Sequence, residues 1–216
     1  ALNVFPVPDE DTGTNLVLTL AGAARAAGSL PAEADLPALT AAAARGALVG
    51  ARGNSGVILS QAMRGLARAS AGHEQLDGPA LAQALTAAAE DARRAVDRPV
   101  AGTILTVADA AAQAARSAGD QDLAGVTRAA VDAATAALAE TRSQLPVLAE
   151  RGVVDAGAAG YVILLEALLS VIGDQRPASS RARESLAELW ATPRPAAAGP
   201  SCALGPSVVG AAEDGH

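Results

Sequence analysis

The sequence of 216 residues contains no lysine, and all 16 of its basic side chains are arginine. A lysine-bearing phosphate loop and a Schiff-base lysine are therefore excluded. Phe, Trp and Tyr occur once each, so strand-type enrichment in aromatic residues is missing. The two histidines, His73 and His216, fall in a polar loop and at the last position, which argues against a Ser-His-Asp triad. A single cysteine, Cys202, cannot form an internal disulfide and fits a reducing compartment. No uncharged apolar run reaches the roughly 18 residues of a membrane span, and the start is not a secretory signal. The longest candidate, Ala156 to Ile172, is interrupted by Glu166. The expected setting is the cytoplasm, with no transmembrane segment.

Half of the residues are hydrophobic, so with so few aromatics the core must be Ala, Leu and Val. These small and unbranched side chains suit closely packed helices, and the expected class is all-α. A net charge of −7 excludes nucleic acid as the main partner, because a phosphate backbone requires a basic face.

Helical periodicity organises the chain up to about residue 172. Apolar positions Leu16, Val17, Leu20 and Ala24 predict a helix over 14–27, with Thr12 or Thr14 as N-cap, ending near Gly28. Asp35 is placed to cap a helix over 36–48. Further helices are expected over 55–70, from Pro79 to about 96, over 104–117 and over 123–140. A shorter piece over 142–150 contains Pro146, a potential kink. The helix over 156–172 is apolar around its circumference, which predicts a central, buried position. Residues 1–175 read as the helical domain. Residues 176–216 read as a linker and tail, with one amphipathic stretch over 181–191.

Four glycine-containing loops precede helices: Asp9–Thr14, Gly50–Gly56, Gly102–Thr103 and Gly152–Gly157. In an up-and-down bundle alternate connections share one end, so these four can meet there. The first loop, Asn3-Val4-Phe5-Pro6-Val7-Pro8-Asp9-Glu10-Asp11-Thr12-Gly13-Thr14-Asn15, brings three carboxylates together beside a helix start. Oxygen ligands without His or Cys point to Mg²⁺ or Ca²⁺, with Asp9 and Asp11 as the ligands. Gly53-Asn54-Ser55-Gly56 would offer backbone donors to phosphate. Each feature also has a plain structural alternative. The acidic loop can be a polar helix start, Gly53 and Gly56 can serve tight packing, and Asp155 can be an N-cap. Arg52 and Arg151 can clamp phosphate or simply be solvated.

Taken together, the first loop, Gly50-Ala51-Arg52-Gly53-Asn54-Ser55-Gly56, Gly102-Thr103-Ile104 and Gly152-Val153-Val154-Asp155-Ala156-Gly157 resemble the ATP-binding (L-type) domain of the dihydroxyacetone kinase family. Within that family the pattern is most similar to the ATP-binding kinase domain of bacterial fatty acid kinase. The similarity covers residues 2 to about 172. It implies an antiparallel helical barrel of about eight helices with ATP or ADP bound in loops at one end. A pair of Mg²⁺ ions would be held by Asp9 and Asp11, the residues of the catalytic centre, with Asn3 where relatives have a third acidic ligand. Asn54, Ser55 and Gly56 would touch phosphate, Gly102, Thr103 and Ile104 would lie near adenine, and Asp155 near the ribose or phosphate. Thr12, Gly13, Asn15, Gly53, Arg151 and Gly157 complete the implied nucleotide-binding set. Thr12 stands where dihydroxyacetone-specific members carry His, which favours the fatty acid kinase branch. The phosphoryl acceptor would be a fatty acid carboxylate presented by a separate binding protein, and further domains could support a homodimer. The alternatives are a component of a dihydroxyacetone (glycerone) kinase and a nucleotide-binding scaffold without turnover. Two departures stand out. Glu10 replaces the usual glycine between the loop aspartates, and the helix that precedes the first motif in relatives is expected to be missing, opening a seam.

Overall fold

The computed structural model describes residues 10–118 and 121–173. Among these residues there are eight α-helices and no strand, as the composition requires. The helices are α1 (Thr12–Gly28), α2 (Leu36–Gly50), α3 (Gly53–Ser70), α4 (Gly78–Arg94), α5 (Ile104–Ser117), α6 (Leu123–Gln144), α7 (Pro146–Arg151) and α8 (Ala156–Ile172). Each long helix packs on the next, and α8 returns to α1, so seven long helices form a closed ring. The ring closes through α1 and α8 rather than opening along a seam. Val17 on α1 and Val49 on α2 nevertheless leave apolar side chains exposed. The amphipathic stretch 181–191 and the tail to residue 216 lie outside the described residues, as do Asn3 and Asp9.

Several helix starts follow directly from local chemistry. Asp35, Asp77, Asp122 and Asp155 sit in extended backbone, and each accepts a hydrogen bond from the amide three residues on, satisfying an otherwise orphaned donor. The first helix differs from expectation: it begins at Thr12 with Asp11 in the N-cap position, and neither Thr12 nor Thr14 caps it. Pro146 does not kink a helix; it occupies the start of α7, where its missing N–H costs nothing. Gly152, with φ 64°, then ends α7 in the left-handed conformation.

Small residues let the backbones approach closely. A Cβ at Gly22 would overlap the carbonyl oxygen of Gly46, so α1 and α2 touch main chain to main chain. Gly65 meets the Ala87 carbonyl in the same way between α3 and α4. The buried cluster is made of alanines from α4, α5 and α6, filled by Leu81, Val107, Val126 and Leu138. Leucine and valine burial of this kind stabilises by about 1.5–3 kcal/mol per side chain. Helix α8 belongs to the ring wall and not its centre: Tyr161, Val162 and Leu165 are buried, whereas Ile163 and Val171 face outward.

One buried charge ties α3 to α4. Asp91 is almost wholly enclosed, and Arg64 Nε reaches its Oδ2 at 3.4 Å and Arg68 Nη2 its Oδ1 at 3.2 Å, with Arg94 also paired to it. The pairing compensates a carboxylate that would otherwise be costly to bury. It lies about one turn before the end of α4.

Candidate functional site

Helices α1, α3, α5 and α8 all begin at one end of the ring and surround a cavity of about 550 Å³. From α1 the wall takes Asp11, Thr12 and Asn15, and from α3 it takes Gly53, Asn54, Ser55, Val57 and Ile58. Thr103, Ile104 and Leu105 come from the start of α5, and Asp155 and Gly157 from the start of α8. The loops expected to meet at one end do meet there. The wall is completed by the turn after α4, namely Ala95, Val96, Asp97, Arg98 and Val100.

The α1–α3 side is polar and unusually close. Gly53 has φ 58°, and a Cβ on it would overlap the Asn15 side-chain amide. Gly56 lies against Thr19, whose Oγ1 would stand 2.7 Å from an added Cβ. The Thr19 hydroxyl in turn donates to the Asn15 carbonyl at 2.7 Å. Neither α1 nor α3 has a side-chain cap, so first-turn amides of both helices gather at the cavity. Amides in this arrangement, with the partial positive charge of a helix start, attract anions.

The α5–α8 side is organised differently. Thr103 spends its hydroxyl on the Val100 carbonyl at 2.8 Å and leaves α5 uncapped by its own residue. Asp155 supplies the cap instead. Its Oδ2 accepts from Ile104 N at 3.1 Å and from Ala158 N at 2.7 Å, so one oxygen closes two helices. The Asp155 amide donates to Thr141 Oγ1 at 3.1 Å, which adds α6 to the junction. Burial pushes the Asp155 carboxyl up to about 6, outweighing the backbone amides of Ala158, Ile104 and Gly157, which favour the charged form.

The remaining expected positions among the described residues do not line this cavity. Gly13 is on α1, Gly56 is buried beneath Thr19, and Gly102 (φ 79°) sets the turn into α5, its amide donating to Thr106 Oγ1 at 2.9 Å. Arg151 ends α7. Arg52 folds back, its Nη1 donating to Ala51 O at 2.7 Å and Val49 O at 3.3 Å. Arg98 is thus the one basic side chain that lines the cavity among the described residues. It is nearly fully exposed, and Asp97 lies 3.9 Å away. By sequence, Asp97-Arg98-Pro99 marks only a helix end. The position of these residues directly before Gly102-Thr103 is the available signal of a further role. Thr141 lies inside a helix and carries none.

The model of the DAK2 domain matches residues 6–170. The chain belongs to the DAK2 domain family. This DAK2 domain is 47% identical over 108 residues to protein YloV of Bacillus subtilis (strain 168), a stretch that is 50% of this chain and 19% of YloV. It is 45% identical over 109 residues to an uncharacterized protein of Staphylococcus aureus (strain USA300), covering 50% of this chain and 20% of that protein. An uncharacterized protein of Staphylococcus saprophyticus is 43% identical over 108 residues, again 50% and 19%. The chain therefore spans about a fifth of the length of the curated relatives it matches. Membership places it in a kinase family. Among the described residues no helix is long and apolar enough to cross a membrane.

Whether Mg²⁺ suits the site depends on the donors present. Among the described residues no three His, Cys, Asp or Glu side chains converge. Mg²⁺ commonly needs only one or two protein carboxylates, the rest of its shell being phosphate and water. Asp11 on the cavity wall is one such carboxylate, and Asp9 lies outside the described residues.

Proposed function

We propose that this DAK2 domain binds Mg²⁺–ATP in the cavity and transfers its terminal phosphoryl group to an acceptor carboxylate. The convergence of four helix starts on one cavity carries this reading, because α1 and α3 begin there with no side-chain cap. The phosphates fit the α1–α3 side, where Gly53, Asn54 and Ser55 present main chain and short polar groups. The base fits the apolar part of the wall formed by Ile58, Val96, Val100 and Leu105. Asp9 and Asp11 would hold the metal, which when bound supplies neutralisation of the β- and γ-phosphate charge. Backbone amides fixed in helix starts stabilise charge on the transferred group without reorganising. The acceptor is read as a fatty acid carboxylate brought by a separate binding protein, on the strength of the resemblance to fatty acid kinase.

Thermal unfolding with ATP, with and without Mg²⁺, tests the reading. At a hundredfold excess over Kd a native-state ligand adds about 2.7 kcal/mol, an upward shift of several degrees. The shift is expected in the wild type only with Mg²⁺, and is lost in Asp9→Asn/Asp11→Asn. No shift in the wild type would overturn it.

A second reading, a nucleotide-binding scaffold without turnover, draws on Glu10. It is the one described non-glycine residue with positive φ, 59°, in the loop that carries the proposed metal ligands. Phosphoryl transfer by Glu10→Gly but not by wild type would favour the scaffold.

A further inference from the structure

We propose that Asp155 is a positioning residue that clamps α5 to α8 across the cavity wall and holds the apolar side of the site in register. Three observations meet here. The carboxylate is 6% exposed, and it forms part of the cavity wall. Its Oδ2 accepts from both Ile104 N at 3.1 Å and Ala158 N at 2.7 Å, residues on different helices that are 54 positions apart in sequence. Its own amide is held by Thr141 Oγ1, and that hydroxyl donates to Leu138 O at 2.7 Å, anchoring the junction to α6.

An ordinary N-cap satisfies donors of its own helix only. Asp155 does that for α8, and it also does for α5 what Thr103 does not. The side chain is the hydrogen-bonded bridge between these two helix starts. If it is shortened, Ile104 N becomes a buried donor without a partner, and α5 must shift or admit water. Thr103, Ile104 and Leu105 move with α5, so the wall facing the ligand loses its register. Asp155 thus acts on the ligand through α5, its Oδ2 being already committed to the amides of Ile104 and Ala158.

The experiment separates local capping from the clamp. Serine can still cap Ala158 N but is too short to reach Ile104 N, whereas asparagine keeps the length and the acceptor and loses only the charge. Amide hydrogen exchange on the intact chain is read at Ile104 and Ala158, and ADP affinity by calorimetry with Mg²⁺. In Asp155→Ser, Ala158 is expected to stay protected, Ile104 to exchange at least about tenfold faster, and ADP to bind about tenfold more weakly. Asp155→Asn is expected to restore Ile104 protection and most of the affinity. Unchanged Ile104 protection in Asp155→Ser overturns the proposal. So does an affinity loss in Asp155→Asn as large as in Asp155→Ser while Ile104 stays protected, because charge would then act on the ligand directly. The affinity arm rests on the nucleotide reading above. If wild type binds no ADP that reading fails, and Ile104 exchange still decides the clamp.

Discussion

Gly53 lies directly beneath the side-chain amide of Asn15: a Cβ there would overlap the amide nitrogen and stand 3.0 Å from its carbon. The contact joins the starts of α1 and α3, and with φ 58° at Gly53 no L side chain fits without strain. Gly53→Ala is expected to destabilise by about 1–3 kcal/mol, read by urea unfolding. Adding Asn15→Ala should recover the steric part and leave the backbone part. A strictly additive double variant would mean that the two residues do not share this contact.

Glu10 presents the opposite case, an exposed side chain held at φ 59°. The left-handed conformation costs a non-glycine residue about 1–2 kcal/mol, partly offset by the freedom glycine adds to the unfolded chain. Glu10→Gly is therefore expected to raise stability by up to about 1 kcal/mol. A lower melting temperature would show that the Glu10 side chain makes a compensating interaction.

The carboxyl of Asp155 titrates at about 6 in the folded chain against 3.8 ordinarily, so the folded chain holds this proton more tightly than the unfolded one. Its contribution to stability is present in acid and is lost as pH rises from about 4 through 6, a loss of about 3 kcal/mol. Asp155→Asn does not titrate. The difference in unfolding free energy between the two proteins should therefore move by about that amount against wild type between pH 4 and pH 7. A difference independent of pH would refute the burial effect.

Arg98 is exposed and weakly paired, yet it stands on a cavity wall whose other charged members are Asp11, Asp97 and Asp155. We expect Arg98→Ala to weaken ADP and ATP by about threefold to tenfold and to leave adenosine unchanged, in calorimetry with Mg²⁺. Equal weakening of adenosine would place the guanidinium on the base instead of the phosphates.

Local chemistry in the sequence determined much of this protein. The scarcity of aromatics and the abundance of alanine required helices, and Asp35 and Asp155 marked two of their starts as acceptors for first-turn amides. Alternating helix direction even brought the four loops to one end. What sequence could not reach were relations between groups far apart in the chain. The capping of α5 by Asp155 depends on α8 standing beside α5. The pairing of Asp91 with Arg64 and Arg68 depends on the α3–α4 packing. Entry of the Val96–Val100 turn into the cavity wall depends on where α4 ends in space. Hydrogen-bond partners and burial are properties of distance, and distance between non-neighbours is fixed only when the ring closes.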